Sequence, residues 1–261
     1  GRKVVCNISV GTWENWRADA LDVPAIILGN DLQGSTGERW LDIRRIDLLG
    51  PVLQARMDMC MDKGFDGIEP DNMDAYINNT GFPLTEQDQL AFNLWLANEA
   101  HKRDLSIGMK NDSDQVAELL PYFDWALTEE CFEQGWCMDM QPFIAMGKPV
   151  FAAEYTDTGI TLADFCSDAV TMGFRGILKD RDLTAERQSC DGNTSYTPGD
   201  VGVPSQTISI GNSFTWAATG RISTNGELNV NAGATLNFRA PEHILNPGLR
   251  INQGAWFRAS R

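Results

Sequence analysis

Residues 64–76 read Gly64-Phe-Asp-Gly-Ile-Glu-Pro-Asp71-Asn-Met-Asp-Ala-Tyr76, a short apolar strand that runs into acidic side chains and then stops. Unpaired ionised groups are costly to desolvate, so a buried strand seldom ends in several carboxylates for packing reasons. A second ending of this kind follows at residues 123–130, where the chain delivers Glu129 and Glu130. Two carboxylates on separate strand ends are what the hydrolysis of a glycosidic bond requires.

Residues 1–190 alternate short apolar strands with amphipathic helices, a pattern typical of parallel α/β architecture. The predicted strands are 4–9, 67–70, 105–110, 125–129, 149–154 and 175–179, and the predicted helices include 49–63 and 86–103. Six β/α units are two fewer than a closed (β/α)8 TIM-type barrel needs. We therefore expect an incomplete barrel whose first two strands lie upstream of Gly1, with open edges at 4–9 and 175–179. An open doubly wound sheet is the alternative, although the chain has no Gly-rich phosphate loop.

The composition changes after Cys190. Residues 191–204 are polar and contain Gly and Pro, which predicts a linker between the barrel domain, residues 1–190, and a second module, residues 205–261. In that module Gly211, Gly233 and Gly254 recur at nearly equal spacing. The repeat favours a small all-β, solenoid-like module, with a β-sandwich fragment as the alternative.

The formal net charge of the chain is −15, and most of the acidic side chains lie in residues 1–190. A field of this sign repels nucleic acid and anionic membranes and favours cationic ligands. The alternative is that the charge only keeps the protein soluble. The sequence has no run of about 18 apolar residues, so it predicts no membrane span.

All six cysteines lie in the first 190 residues, as Cys6, Cys60, Cys131, Cys137, Cys166 and Cys190. An even number favours disulfides formed in an oxidising compartment, with Cys131–Cys137 and Cys166–Cys190 as the expected pairs. This predicts an extracellular or periplasmic protein, whereas free buried thiols in a cytosolic enzyme are the alternative. The chain has no CxxC motif and only two histidines, so neither a metal nor another cofactor is predicted.

Six ordered motifs resemble glycoside hydrolase family 114, the endo-α-1,4-polygalactosaminidase family, over residues 1 to about 190. They are Ser9-Val-Gly-Thr-Trp-Glu-Asn-Trp-Arg17, Glu38-Arg-Trp-Leu-Asp-Ile-Arg44, Asp71-Asn-Met-Asp-Ala-Tyr76, Gly108-Met-Lys-Asn111, Glu129-Glu-Cys-Phe132 and Lys148-Pro-Val-Phe-Ala-Ala-Glu-Tyr155. The resemblance implies a (β/α)8 barrel that cleaves α-1,4-linked galactosamine polymers. It also implies that Asp71 and Glu129 are the catalytic carboxylates.

We expect retention of the anomeric configuration, with the short Asp71 as nucleophile and the longer Glu129 as general acid/base. The opposite assignment is the alternative, and the separation of the two carboxyl groups decides between retention and inversion. The predicted substrate-binding residues are Glu14, Arg17, Asn72, Asp74, Tyr76, Lys110, Asn111, Glu154 and Tyr155.

The expected partner is a cationic or partly acetylated aminosugar polysaccharide. Asp74 and Glu154, with Glu14 as a third candidate, could pair with the protonated amines of such a polymer. Their alternative role is to bind rim backbone, Lys110 or Arg17. The alternative function for the whole chain is a non-catalytic polysaccharide-binding or adhesion protein built on a decayed barrel.

Overall fold

The computed structural model describes residues 3–190 and, beyond them, residues 194–197, 201–203, 206–208, 213–218, 221–224, 228–232, 235–239, 242–245, 249–251 and 255–260. The helices of the described part are α1 (Ile46–Asp62), α2 (Glu86–His101), α3 (Val116–Leu119), α4 (Cys131–Gln134), α5 (Gln141–Ala145) and α6 (Leu162–Met172). The strands up to residue 190 are β1 (Val5–Ser9), β2 (Thr12–Glu14), β3 (Leu28–Asp31), β4 (Glu38–Leu41), β5 (Gly67–Asp71), β6 (Ser106–Lys110), β7 (Trp125–Glu129), β8 (Val150–Tyr155), β9 (Arg175–Lys179) and β10 (Arg187–Ser189). Two compact units make up the chain, residues 1–128 with 136–150 and residues 129–135 with 151–261.

The first unit is built on a parallel sheet in the order β1, β5, β6 and β7. Val5 lies opposite Gly67, and Gly67 lies opposite Ser106 on its other side. Ile68 and Ile107 are fully buried, as expected for parallel strands covered on both faces. Among the described strands β1 pairs with β5 alone, which agrees with the open edge predicted there.

A small antiparallel sheet in the order β2, β4 and β3 also belongs to the first unit, and it was not predicted. Glu14 lies opposite Glu38 in this sheet. The Arg39 guanidinium donates to Gly29 O at 2.9 Å and 2.6 Å, in the stretch where the register between β3 and β4 shifts. Strands of three or four residues carry too little alternation to be recognised from sequence.

The two long helices begin and end within three residues of their predicted bounds. Helix α1 buries Leu53 and Met57 at the helical spacing seen in the sequence. Helix α2 begins with a capping box, in which Asp88 N donates to Thr85 Oγ1 and Thr85 N donates to the Asp88 carboxylate.

In the second unit β8 pairs in parallel with β9, and β10 pairs antiparallel with the other side of β9. The prediction of an open edge at residues 175–179 is therefore wrong. The chain turns back after β9, and Ser189 comes to lie opposite Ile177. An antiparallel partner needs only a short connection, and it satisfies edge N–H and C=O groups that would otherwise be open.

After residue 190 the described strands pair in three parallel ladders. The strands are β11 (Thr194–Thr197), β12 (Val201–Val203), β13 (Gln206–Ile208), β14 (Ser213–Ala218), β15 (Arg221–Thr224), β16 (Leu228–Val230), β17 (Thr235–Arg239), β18 (Glu242–Ile244), β19 (Leu249–Ile251) and β20 (Trp256–Ser260). The ladders are β11–β14–β17–β20, β12–β15–β18 and β13–β16–β19. Strands β11 and β12 lie within residues 191–204, which the sequence predicts as a linker. The three repeat glycines lie outside the described residues.

The structure contains the predicted Cys166–Cys190 disulfide. A second disulfide joins Cys6 of β1 to Cys60 of α1. Cys131 and Cys137 are disulfide-bonded as well. Disulfides are thus present, as the even cysteine count predicts. Within the described part of the chain, no helix has the length and apolarity needed to cross a membrane.

Candidate active site

Asp71 is the last residue of β5, and its carboxylate contacts a buried lysine. Because Gly67 lies opposite Ser106, the two strands end level with each other, at Asp71 and Lys110. Lys110 Nζ lies 3.1 Å from Asp71 Oδ1 and 2.9 Å from Glu69 Oε1. The side chain of Lys110 is 4% exposed and that of Asp71 is 36% exposed. One buried ammonium group therefore balances two carboxylates on the same face of β5.

The Asp71 carboxylate is held through one of its two oxygens. The backbone N–H of Asn72 donates to Oδ1 at 3.1 Å, which is the same atom that Lys110 contacts. No residue that the structure describes donates a hydrogen bond to Oδ2. The carboxylate is thus fixed in orientation while one oxygen stays available to a ligand.

The backbone after Asp71 turns sharply and is locked to the end of β1. Asn72 has a left-handed backbone, with φ at 59°, and its side-chain amide donates to Ser9 Oγ and Thr12 Oγ1 at 3.1 Å each. A Cβ atom on Gly11 would lie 1.8 Å from Asn72 O, so only glycine fits there. Thr12 also donates to the Glu38 carboxylate, which brings a residue of β4 into this network.

The Asp74 carboxylate has no hydrogen bond to another side chain and no ion pair among the described residues. Burial raises the pKa of Asp74, and the negative charge of Asp71 raises it further, whereas Lys110 acts in the opposite direction. A desolvated carboxyl group of this kind would be stabilised by any cation that came within contact distance. Of the first unit's predicted binding residues, Asp74 is therefore the best suited to an ammonium group.

Asp112 is a second buried acid of the first unit, with only 5% of its surface exposed. Its Oδ2 accepts a hydrogen bond of 3.0 Å from the Asn93 amide, which also donates to Met73 O at 3.0 Å. Burial raises the pKa of Asp112 to about 8, and the charge of Asp74 contributes to the rise. The contact to Met73 ties Asp112 to the peptide directly before Asp74.

Tyr76 belongs to the same polar cluster. No described residue meets both the distance and the angle of a hydrogen bond to its buried hydroxyl, although Asp112 lies close enough to interact with it. Gln89 Oε1, Gln115 Oε1 and Asp112 Oδ1 are likewise buried without a hydrogen-bond partner among the described residues. Burial and the neighbouring Asp112 raise the pKa of the Tyr76 phenol above its usual range. The Tyr76 hydroxyl thus lies inside the protein and is not open to a ligand.

Glu129 is the last residue of β7, and the hydroxyl of Tyr155, the last residue of β8, donates to Glu129 Oε1. The guanidinium carbon of Arg181 lies 4.0 Å from the centroid of the Tyr155 ring. Tyr155 is 3% exposed. It is therefore a hydrogen-bond donor to Glu129 rather than an open platform for a sugar ring.

Glu154 is fully buried, and its carboxylate accepts hydrogen bonds from the backbone N–H groups of Phe132 and Glu133 at 2.9 Å and 3.3 Å. Burial raises the pKa of Glu154, and the two N–H donors oppose that rise. These contacts are those of the alternative role, binding rim backbone. Glu154 thereby holds the start of α4, directly after Glu129.

Glu14 and Arg17 pair with each other. Arg17 Nε and Nη2 lie 2.6 Å and 2.9 Å from the two oxygens of Glu14, and Glu14 is 6% exposed. This pairing is again the alternative that the sequence analysis gave for Glu14. Asn111 has a left-handed backbone, with φ at 51°, and its N–H donates to Leu127 O at 2.9 Å.

The structure thus brings Asp71, Asn72, Asp74 and Lys110 together in the first unit, and Glu129, Glu154 and Tyr155 in the second. Sequence reasoning missed Glu38, Glu69, Asp112 and Arg181 as site residues. Glu69 could have been found, because it is two residues before Asp71 and side chains alternate along a strand. The other three depend on contacts between distant segments, which no local pattern reveals.

Comparison with known proteins gives a family match over most of the chain. The model of Glycoside-hydrolase family GH114 matches residues 1–195. No curated protein matches the sequence significantly.

Two solved structures are similar to this one. Ega3 of Aspergillus fumigatus, solved in complex with galactosamine, is 36% identical with a TM-score of 0.69, and the match covers 73% of this chain and 79% of that one. The glycoside hydrolase domain of PelA from Pseudomonas aeruginosa is 13% identical with a TM-score of 0.52, and the match covers 70% of this chain and 80% of that one. The second likeness is one of fold alone.

Proposed function

This chain belongs to glycoside-hydrolase family GH114, and from that premise we propose that it hydrolyses α-1,4-linked galactosamine polysaccharides, internally and with retention of configuration. The observation that carries the proposal is the carboxylate of Asp71. Lys110 and the Asn72 N–H hold one of its oxygens, while the other accepts no hydrogen bond from the described residues. An oriented carboxylate with one open oxygen is suited to attack an anomeric carbon.

In the first step of the proposed reaction Asp71 Oδ2 forms a bond to the anomeric carbon. The bond from that carbon to the glycosidic oxygen breaks, and Glu129 gives its proton to the leaving oxygen. In the second step Glu129 takes a proton from water, and the water oxygen displaces Asp71 from the anomeric carbon. Asp71 is then free again as a carboxylate, and Glu129 carries the proton with which the cycle began.

Asp74 supplies the preference for an aminosugar in this proposal. Glu14 is paired with Arg17, and Glu154 binds backbone N–H groups, whereas Asp74 has no such partner among the described residues. A protonated amine beside Asp74 would offset the charge of the desolvated carboxylate. An acetylated amine carries no charge, so acetylation would remove this contact.

The remaining parts of the proposal concern the setting of the enzyme. We infer an incomplete (β/α) barrel of TIM type for residues 1–190 and, in place of the predicted linker and the module at 205–261, stacked solenoid coils formed by the described strands β11 to β20. The inference of stacked coils is supported by the three parallel ladders, in which paired residues lie 21 or 22 positions apart in the sequence. The disulfides support a secreted enzyme, since such bonds persist in oxidising compartments.

The test is reducing-end analysis of polygalactosamine and of its N-acetylated form after incubation with the full chain. We expect new reducing ends from the free amine polymer. NMR should show that the product released first has the same anomeric configuration as the cleaved bond. We expect Asp74→Asn to lower kcat/KM about tenfold on the amine polymer but less than twofold on the acetylated one. Equal losses on both polymers would contradict the role of Asp74, and no cleavage of either would contradict the activity itself.

A further inference from the structure

Arg181 contacts two residues beside Glu129, and no motif of the sequence singles it out. One neighbour is Tyr155, whose hydroxyl donates to Glu129 and whose ring lies under the Arg181 guanidinium. The other is Glu130, the next residue in the chain, which accepts a hydrogen bond from Arg181 Nη2. The same guanidinium therefore touches the group that binds Glu129 and the residue covalently attached to it.

Arg181 is itself held in a fixed orientation. Its Nε and Nη2 donate to the two oxygens of Asp157 at 3.0 Å each, a bidentate pair that fixes the plane of the guanidinium. The Arg181 side chain is 47% exposed, so solvent screens these ion pairs and they contribute little to stability. The ion pairs instead fix the orientation of the guanidinium, because this planar group can bind two carboxylates and cover an aromatic ring at the same time.

Glu130 adds a second constraint on the backbone beside Glu129. Its φ is 59°, a left-handed conformation that is unusual for a residue with a long side chain. The N–H of Glu130 donates to Ala153 O at 2.9 Å, and its carboxylate is tied to Arg181. Backbone and side chain of Glu130 are thus both fixed, and the peptide that carries Glu129 is fixed with them.

We propose that Arg181 is a positioning residue for Glu129, acting through the Tyr155 ring and the Glu130 carboxylate. The inference rests on the proposed function of Glu129 as general acid/base. Without Arg181 the Tyr155 ring loses the cation that covers its face, and Glu130 loses its counter-charge. Glu129 then samples orientations from which it cannot protonate the leaving oxygen.

The experiment uses the full chain with Arg181→Met, Arg181→Lys and a matched control, Arg187→Met. Arg187 is an exposed arginine of β10, and none of the described residues forms an ion pair with it. We expect Arg181→Met to lower kcat on polygalactosamine about 10-fold to 100-fold with KM within about twofold, as for a misplaced catalytic group. Arg181→Lys keeps the charge but not the planar fork, so it should not restore kcat. Arg187→Met should behave as wild type.

Two further measurements separate positioning from a general structural effect. In a Glu129→Gln background, Arg181→Met should cause no further loss of kcat, because residues that act as a unit are not additive. In the protein without substrate, 13C NMR should detect a changed chemical shift for the Glu129 side-chain carboxyl carbon in Arg181→Met but not in Arg187→Met.

Wild-type kcat in Arg181→Met, full recovery by Arg181→Lys, an additive loss with Glu129→Gln or an unchanged Glu129 carboxyl shift would each overturn the inference. The NMR measurement does not depend on turnover. If the wild type cleaved no aminosugar polymer, the proposed function would fail, and the carboxyl shift would still decide whether Arg181 positions Glu129.

Discussion

The surroundings of Asp71 and Glu129 restrain two carboxylates by different means. Asp71 is held by Lys110, a cation that is almost fully buried and lies on the adjacent strand. The Tyr155 hydroxyl donates to Glu129, and Arg181, a half-exposed cation, contacts the Tyr155 ring. The first arrangement is an ion pair inside a sheet, and the second is a hydrogen bond supported from the surface.

The difference can be compared with the two chemical roles that we propose. A nucleophile has to stay ionised and fixed, which a buried ammonium group supports directly. A general acid/base has to gain and lose a proton in each cycle, and the Tyr155 hydroxyl can form a hydrogen bond with either protonation state of Glu129. The buried ammonium group beside Asp71 thus supports the proposal that Asp71 is the nucleophile and Glu129 the acid/base, rather than the opposite assignment.

The largest expected effect separates the two roles. Asp71→Asn should lower kcat/KM on the order of 10⁴-fold on both polygalactosamine and an aryl galactosaminide with a good leaving group, because both need the nucleophile. Glu129→Gln should lower it about 10²-fold to 10⁴-fold on the polymer but far less on the aryl substrate, which needs little protonation. Initial rates on the two substrates measure the difference.

Glu133→Gln is the control, since Glu133 is an exposed acid of α4 that follows shortly after Glu129. It should retain activity on both substrates. If Asp71→Asn proved to be the variant that recovers on the aryl substrate, the assignment of the two roles would have to be exchanged.

The second expected effect concerns stability and contrasts the two cations. Lys110→Met leaves Glu69 and Asp71 without the charge of Lys110 and should lower the free energy of unfolding by about 2–3 kcal/mol. This loss is smaller than that expected for breaking a fully buried ion pair, because both acids are partly exposed. Arg181→Met should cost less than about 1 kcal/mol, because its ion pairs face solvent. Urea denaturation with a common m-value measures both.

Lys63→Met, at an exposed position after α1, is the matched control and should stay within about 0.5 kcal/mol of wild type. Equal losses for Lys110→Met and Arg181→Met would mean that the contrast between a buried and a surface cation has no energetic basis.

The two regions also differ in how far sequence reasoning could reach them. The six strands were predicted to within one residue, because buried parallel strands are continuous apolar runs. Asp71 and Lys110 end two such strands, so their contact follows from the order and register of the sheet. Arg181 follows β9 in a polar segment, and nothing in its neighbours in sequence indicates that it contacts Tyr155.

Two errors of prediction have the same physical origin. The open edge at residues 175–179 was expected because β10 is a three-residue polar strand, too short to give a pattern. Asp112 was overlooked because it follows the end of β6 by two residues in a left-handed turn, and its importance comes from burial. Burial and short antiparallel pairings are decided by tertiary structure.

The smallest expected effect tests whether the surroundings of Asp71 include a carboxyl group that stays protonated. The pKa of Asp112 is raised from an ordinary value of 3.8 to about 8. Between those pH values the unfolded chain has lost the proton that the folded protein keeps, so stability falls as pH rises from about 4 to about 8 and changes no further above that. Asp112→Asn keeps the shape of the neutral acid, tolerates the left-handed backbone and removes this dependence.

We therefore expect Asp112→Asn and wild type to unfold at similar temperatures near pH 5, and Asp112→Asn to unfold about 5 °C higher near pH 8. Glu118→Gln is the matched control, because it removes an acid at an exposed position of the neighbouring helix α3. Its difference in Tm from wild type should not grow over the same pH range. A constant difference between Asp112→Asn and wild type from pH 5 to pH 8 would mean that Asp112 is ionised in the folded protein. In that case the region of Asp71 would hold one more negative charge, and its contrast with the region of Glu129 would be sharper still.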